Sequence, residues 1–140
     1  MRVLFDTNLV LDLVLAREPF GPAAKELFKL QEQRRIDAYI SAITPVNVFY
    51  ITRKLRGINA ARRAVELLLA ALKVCPLHQS ILDEACKLPF KDYEDAVQHA
   101  CATSSGLDVI VTRDVSDYQN ATLVVLSPSE FLDKLKSQKT

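Results

Sequence analysis

The segment VLFDTN, residues 3–8, is the stretch from which we predict the fold of this chain. Residues 3–5 are β-branched, aliphatic and aromatic, as in a buried strand, and the run stops at the carboxylate of Asp6. The pattern returns in VIVTRD, residues 109–114, where a second apolar run leads into Asp114. Functional residues of open α/β sheets lie beyond the carboxyl ends of the strands. We therefore expect Asp6 and Asp114 to face one crevice.

Strand and helix patterns alternate along the rest of the chain. The patterns predict strands at residues 3–5, 38–41, 74–77, 108–112 and 123–126. They predict helices at residues 9–15, 22–35, 45–56, 60–72, 80–88, 92–105 and 129–136. This alternation favours a parallel sheet in an α/β sandwich, and without a Gly-, Ser- or Pro-rich linker we expect one domain over residues 1–140.

Individual residues predict where some of these elements begin and end. Thr44 is predicted as a helix N-cap with Pro45 at the first helical position. Gly57 is predicted to end that helix, and Asn59 to cap the next one. Pro76 within the third strand indicates an edge position, because proline cannot donate a hydrogen bond to a neighbouring strand.

Composition limits the class of protein. The chain has 140 residues, 49% of them hydrophobic and 25% charged, which is typical of a globular domain, and its net charge of +1 excludes a general polycation. Cys75, Cys86 and Cys101 contain no C-x-x-C pair, which argues against a zinc site or disulfide framework and favours a reducing cytoplasm. Asp6 and Asp12 interrupt the apolar N-terminal run, so we expect neither a signal peptide nor a membrane span.

Two further acidic clusters resemble the one at the first strand. Asp92 and Asp95 lie three apart at a predicted helix start, and Asp114 and Asp117 follow the fourth strand. Taken singly, each acid has a structural explanation as a helix cap or turn residue, and His99 is interpreted as a surface or half-buried partner of Asp95. Taken together, three segments delivering carboxylates to one crevice predict an oxygen-only site for Mg²⁺ or Mn²⁺.

A basic band complements the acids. Residues 38–65 contain no Asp or Glu. The cations of this band are Arg53, Lys54, Arg56, Arg62 and Arg63. Such a patch could hold an RNA phosphate backbone without sequence specificity, although for the band taken alone a solvated surface is the favoured interpretation.

Four blocks of this sequence resemble a known family. They are DTN at residues 6–8, SAITPVNVFYITRK at 41–54, DYEDAVQHACA at 92–102 and VTRDVSDY at 111–118. In this order they resemble a PIN domain, most closely the bacterial branch that includes VapC-like toxins, and the resemblance extends to SPSEFL at 127–132. It implies a three-layer α/β/α sandwich whose five-stranded parallel sheet has the order 3-2-1-4-5. It also implies a Mg²⁺- or Mn²⁺-dependent endoribonuclease, the toxin of a type II toxin–antitoxin pair, with RNA and a cognate antitoxin as partners.

The resemblance assigns roles to particular residues. Asp6, Asp95 and Asp114 are implied to be catalytic and to bind the metal. The residues implied to support them are Asp92, Asp117, Asn47, Asn8, Thr7 and Thr112. Many family members have a Glu where this chain has Asn47, so one carboxylate is missing and the number of metal ions stays open.

Other interpretations remain open at the level of sequence. With Asn47 in place of Glu, the chain could be a catalytically weak PIN-like domain that binds RNA or protein. An aspartyl-phosphate enzyme is disfavoured, because Asn8 stands where a D-x-D motif needs its second Asp. A toxin and an RNA-processing nuclease are not distinguished. Apolar residues at 9–15 and 48–51 suggest a homodimer.

Overall fold

The computed structural model describes residues 1–138 as a parallel sheet between two layers of helices. The strands are β1 (Arg2–Phe5), β2 (Asp37–Ser41), β3 (Lys73–Cys75), β4 (Val109–Val111) and β5 (Val124–Leu126). The helices are α1 (Thr7–Val14), α2 (Gly21–Glu32), α3 (Ile43–Arg56), α4 (Ile58–Ala71), α5 (Gln79–Lys87), α6 (Tyr93–Ser104) and α7 (Pro128–Ser137). A 3₁₀ turn, Val115–Tyr118, follows β4. The predicted bounds differ from these by at most three residues.

The sheet has the order β3-β2-β1-β4-β5, and all four strand pairs are parallel. The predicted fold class and strand order are therefore confirmed. In the central strand, Val3 pairs with Ala38 on one side and with Val109 on the other. β3 is an edge strand, as Pro76 indicated, although the strand ends one residue before the proline.

Alternation along the strands divides the core between the two faces of the sheet. Val3 and Phe5 belong to the cluster formed with α1, α2, α3, α4 and α7, whereas Leu4 belongs to the cluster formed with α5 and α6. Each of these side chains is fully buried, which stabilises the fold by about 1.5–3 kcal/mol per residue. The central strand is thereby fixed on both faces, and so is the backbone that leads to Asp6.

Two predicted helix caps are wrong. α3 begins at Ile43, so Thr44 is inside the helix; its hydroxyl instead lies 2.9 Å from that of Thr7, a contact that joins α3 to α1. Pro45 still falls in the first turn, where its missing N–H costs no hydrogen bond. Asn59 is also helical, because Gly57 directly links α3 to α4 with φ 90° and ψ 171°.

The apolar segments from which we expected a dimer are mostly core. Leu9, Val10 and Val48 are fully buried, because α1 and the inner face of α3 pack on the sheet. The exposed large apolar residues of α3 are Val46, Tyr50 and Leu55, with 66%, 63% and 63% of their surface accessible, and Tyr50 alone of these lies within the predicted segments. Within residues 1–138, no helix combines the length and apolar character needed to cross a membrane.

Candidate active site

The acidic side chains converge in one pocket at the carboxyl ends of β1 and β4. Strand order reverses between these two strands, and such a switch point is where α/β sheets bind ligands. The pocket has a volume of about 340 Å³. Its lining residues are Asp6, Thr7, Asn8, Leu11, Asn47, Ile51, Asp92, Glu94, Asp95, Asp114 and Asp117. The pocket therefore brings together all the acids predicted from the sequence, and Asn47 lies beside them.

Asp6 lies at the floor of the pocket, where β1 turns directly into α1. Its Oδ1 accepts hydrogen bonds from the backbone N–H of Thr7 at 2.6 Å and from Nε2 of Gln98 at 2.6 Å. Its Oδ2 accepts one from the hydroxyl of Thr112 at 2.7 Å. Burial raises the pKa of Asp6, whereas the bonds from Thr112, Gln98 and Thr7 oppose that rise. These donors fix the orientation of the carboxylate.

Thr112 and Asn8 join the two strand ends. The hydroxyl of Thr112, which donates to Asp6, also accepts the backbone N–H of Asp114 at 3.1 Å. Nδ2 of Asn8 donates to Oδ2 of Asp114 at 2.7 Å, so a residue of α1 orients the carboxylate that follows β4. Thr112 therefore orders both loops, whereas Asn8 orders the loop opposite its own.

The third set of acids comes from the N-terminus of α6. Asp92 is the N-cap, as its sequence position predicted, and its Oδ1 accepts the backbone N–H of Glu94 at 3.0 Å. Asp95 is 9% exposed and faces the pocket from the first turn. Burial, followed by repulsion from the nearby carboxylates of Asp6, Asp92, Asp117 and Glu94, raises the pKa of Asp95 to about 7. The pocket thus concentrates negative charge.

Glu94 is a site residue that the sequence analysis missed. Its Oε1 accepts a hydrogen bond from Nδ2 of Asn47 at 2.8 Å, which connects α6 to α3 across the pocket. Burial and the nearby Asp6 and Asp92 raise the pKa of Glu94. The only indication of it in the sequence was its place in the run DYED, residues 92–95. Adjacent residues of a helix point in different directions, so Glu94 would not be expected on the same helical face as Asp95.

Gln98 and Tyr118 were also missed, and both lie buried beneath the carboxylates. Gln98 is fully buried on α6 one turn after Asp95, and it donates to Asp6. The hydroxyl of Tyr118 is buried without a hydrogen-bond partner among residues 1–138, and burial beside Asp6 and Asp95 raises its pKa. Both residues lie within the quoted blocks, but nothing in the sequence pattern assigned them to the site.

His99 does not pair with Asp95, contrary to the prediction. It is 2% exposed, and its Nε2 accepts the backbone N–H of Thr122 at 3.0 Å. Its ring packs on Phe90 with 5.3 Å between centroids, and burial lowers its pKa. His99 is thus a core residue, covered by Phe90 from the loop before α6 and by Thr122 from the loop before β5.

The basic band lies along α3 and α4 and does not line the acidic pocket. All five cations are exposed. Arg53 and Arg56 follow Asn47 on α3 by six and nine residues, or about 9 and 13 Å along the helix axis. Arg56 also donates to the carbonyl of Leu15 at 2.8 Å, so part of its hydrogen-bonding capacity is used within the fold.

A second, larger cavity lies beside the band and is mostly apolar. It has a volume of about 980 Å³ and runs between α1, α2, α3 and α4. Its apolar wall includes Phe28, Leu67 and Leu68, and Arg56 and Arg63 line it as well. The groove is therefore apolar with basic side chains in its lining.

The donor set of the acidic pocket fits a hard divalent cation. Its charged groups are all carboxylates, which are the ligands that Mg²⁺ and Mn²⁺ prefer. Within residues 1–138, no group of three His, Cys, Asp or Glu side chains is arranged as a ready-made metal site. Repulsion between the carboxylates adds to the effect of burial in raising the pKa of Asp95, and a cation between them would relieve that repulsion.

The fold and the pocket together define a three-layer α/β protein with an acidic site at the switch point of its sheet. The family model for the PIN domain matches residues 2–116, and the chain belongs to this family. A search of curated proteins finds no match.

Solved structures with the same fold include toxin–antitoxin proteins. VapBC2 from Rickettsia felis, bound to a DNA fragment from its promoter, has a TM-score of 0.72 at 12% identity, covering 91% of this chain and 98% of that chain. A toxin–antitoxin complex from Klebsiella pneumoniae has a TM-score of 0.67 at 25% identity, covering 90% and 97%. VapC20 from Mycobacterium tuberculosis, a sarcin–ricin loop cleaving toxin, has a TM-score of 0.67 at 15% identity, covering 86% and 98%.

Proposed function

We propose that this protein is a Mg²⁺- or Mn²⁺-dependent endoribonuclease that hydrolyses RNA phosphodiester bonds and is the toxin of a type II toxin–antitoxin pair. The observation that carries the proposal is the convergence of Asp6, Asp95 and Asp114, from three separate segments, in one pocket of about 340 Å³. Membership of the PIN-domain family and structural similarity to a sarcin–ricin loop cleaving toxin support it.

In this proposal Asp6, Asp95 and Asp114 hold the metal. A divalent ion held there would lower the pKa of a water for in-line attack on phosphorus and would neutralise charge on the departing oxygen. The chain's own contribution is to hold the three carboxylates in place. Thr112 and Asn8 fix the two strand ends relative to each other, and Gln98 fixes Asp6 from below. Pre-positioning of this kind contributes much of the rate acceleration in phosphoryl transfer.

The basic band is proposed to hold the RNA backbone. Exposed cations about 9–13 Å from Asn47 along α3 lie at a distance that two or three nucleotides can span. Because phosphate contacts release counterions, RNA affinity should fall steeply with salt.

The test is degradation of single-stranded RNA by the purified protein in Mn²⁺. We expect Asp6→Asn and Asp95→Asn to abolish cleavage, and Asp133→Asn, an exposed acid on α7, to cleave as wild type does. Equal cleavage by wild type, Asp6→Asn and Asp95→Asn would show that the assigned active site is wrong.

We propose a cognate antitoxin as the protein partner. Structural similarity to VapBC2 and to the Klebsiella pneumoniae toxin–antitoxin complex supports this partner, and the apolar groove between α1 and α4 offers a surface for it. Expression should arrest growth, and co-expression of a small adjacent gene should relieve the arrest. If the Asp6→Asn variant still arrests growth, the arrest does not come from the proposed nuclease activity. If the wild-type protein causes no arrest, an RNA-processing enzyme is favoured over a toxin.

The alternative is a PIN-domain protein that binds RNA or a partner without efficient cleavage. The neutral Asn47 and the three hydrogen bonds that Asp6 already accepts favour it. RNA binding that survives in EDTA, with no cleavage in any divalent metal, would select this alternative.

Three further properties complete the proposal. The chain is one domain over residues 1–140. It acts in the cytoplasm, which its three free cysteines support. It forms a homodimer through the exposed face of α3 that carries Val46 and Tyr50. Light scattering of Val46→Lys and Tyr50→Lys tests the dimer, which both variants should dissociate.

A further inference from the structure

Glu94 and Asn47 form a contact across the acidic pocket that the proposed function does not use. Oε1 of Glu94 accepts a hydrogen bond from Nδ2 of Asn47 at 2.8 Å. Glu94 belongs to the first turn of α6 and Asn47 to α3, and both line the same pocket. The bond therefore holds the Glu94 carboxylate in the pocket from the helix opposite its own.

The chemistry of this contact leaves the charge of Glu94 uncompensated. The donor is a neutral amide, and within residues 1–138 no Lys, Arg or His forms an ion pair with Glu94. A carboxylate held beside Asp6 and Asp92 is repelled by both of them. A hydrogen bond from an amide orients an oxygen without neutralising it, so the carboxylate can still bind a cation.

We propose that Glu94 is a further carboxylate ligand of the divalent ion, and that Asn47 is the residue that positions it. The inference rests on the proposed function, because it concerns the same metal site. In this chain the carboxylate expected from α3 is supplied by α6, and the side chain at position 47 acts as its hydrogen-bond donor. The departure at Asn47 then does not reduce the number of carboxylates in the pocket.

The test measures Mn²⁺ affinity directly, by calorimetry or by the electron paramagnetic resonance signal of free Mn²⁺, on the full chain. Loss of an outer contact to a metal ligand typically weakens binding by about 10–100-fold. We expect Glu94→Gln, which keeps the shape of the side chain, to weaken Mn²⁺ binding by about tenfold or more, and Asn47→Ala to weaken it by about tenfold. Glu66→Gln, at an exposed position on α4, should bind as wild type does.

A double variant separates ligation from a general effect of charge at the helix. Glu94 also lies at the N-terminus of α6, where any acid is favourable to the helix dipole. Asn47→Glu combined with Glu94→Gln moves the carboxylate to α3 and the amide to α6, so the hydrogen bond can form with its donor and acceptor exchanged. We expect this variant to recover Mn²⁺ affinity to within about threefold of wild type, although it does not restore the acid on α6.

The outcomes distinguish this inference from the proposed function. Wild-type Mn²⁺ affinity in Glu94→Gln, together with weakened binding in Asp6→Asn and Asp95→Asn, would overturn the role of Glu94 and leave the nuclease proposal standing. Failure of the double variant to bind better than Glu94→Gln alone would also overturn it. Unchanged affinity in Asp6→Asn and Asp95→Asn would reject the metal site as a whole.

Discussion

The carboxylate of Asp12 lies 3.5 Å from the guanidinium of Arg113, and this ion pair ties α1 to the loop that carries Asp114. The Asp12 side chain is 1% exposed, and in the part of the chain that the structure describes neither of its oxygens has a hydrogen-bond partner. The guanidinium of Arg113 also lies over the ring of Phe20, 4.3 Å from its centroid. Arg17, at 4.0 Å, is a weaker and more exposed second partner of Asp12.

Arg113→Leu is expected to destabilise the protein. Removing one partner of a buried ion pair costs about 3–5 kcal/mol, and the loss here should lie at the lower end because Arg17 remains. Burial raises the pKa of Asp12, and the positive charge of Arg113 lowers it. Without Arg113, the pKa of Asp12 therefore rises further. The loss should therefore shrink at low pH, where the folded protein protonates Asp12. Urea unfolding at pH 5 and pH 8 measures both effects.

Two companion variants test that explanation. Arg17→Leu should cost less than about 1 kcal/mol, since its ion pair is long and partly exposed. Asp12→Leu with Arg113→Leu should recover much of the stability, because no unpaired buried charge remains. A double variant as unstable as Arg113→Leu would rule out the unpaired charge as the cause.

The metal-free protein is expected to lose stability as the pH rises. The pKa of Asp95 is raised from 3.8 to about 7 in the folded protein, mainly by burial, so the folded chain binds a proton there that the unfolded chain has released. The stabilising contribution is complete below about pH 4 and is lost as the pH rises through about 7. Thermal unfolding in EDTA from pH 5 to pH 8 should show a falling Tm.

Asp95→Asn is the control for this pH dependence. An amide does not titrate, so its Tm should vary less between pH 5 and pH 8 and should exceed that of wild type at pH 8 in EDTA. Mg²⁺ at pH 8 should raise the Tm of wild type but not of the variant. Parallel Tm curves for the two proteins would exclude Asp95 as the titrating group.

Thr112→Val is expected to destabilise the junction between the two strand ends. The variant keeps the side-chain shape and removes the hydroxyl that donates to Asp6 and accepts from Asp114. Leaving buried partners unsatisfied costs about 1–3 kcal/mol, and urea unfolding in EDTA measures it. Thr52→Val is the matched control, because the Thr52 hydroxyl is buried with no partner among the described residues, 1–138, and its removal should be neutral or stabilising. Equal losses in both variants would contradict a specific role for Thr112.

Gly57→Ala is expected to destabilise the link between α3 and α4. Gly57 has φ 90° and ψ 171°, a conformation that costs residues with a Cβ about 1–3 kcal/mol. Gly21→Ala is the comparison: its φ is not positive, and an added Cβ would meet its nearest atoms at 3.5–3.7 Å, an ordinary contact. Thermal unfolding should therefore show a large loss of Tm only for Gly57→Ala.

The elements of the fold could be predicted because their signals are local. The apolar run at residues 3–5 followed by Asp6 indicates the end of a buried strand, and helix periodicity predicts α2 and α4 to within three residues. Helix caps were less predictable. Thr44 has the ideal residue type for a cap, but its hydroxyl is used in the contact with Thr7 instead.

The site could be predicted only in part. Asp6 and Asp114 follow strands and Asp92 starts a helix, so topology alone brings them near one another. Gln98 contacts Asp6 across 92 positions of sequence, and no local pattern distinguishes it from an ordinary helical residue. His99 was interpreted wrongly for the same reason, because helix spacing does not show that Thr122 covers it.

The sequence by itself determined the order of the elements, the family and the acids at the ends of β1 and β4, since each depends on residues that are neighbours in the chain. Only the tertiary structure decided which polar atoms meet. It placed Glu94 against Asn47 and Arg113 against Asp12, and it separated His99 from Asp95. Hydrogen bonds and ion pairs act over about 3–4 Å, so they depend on how packed helices are rotated and spaced, which no local pattern in the chain specifies.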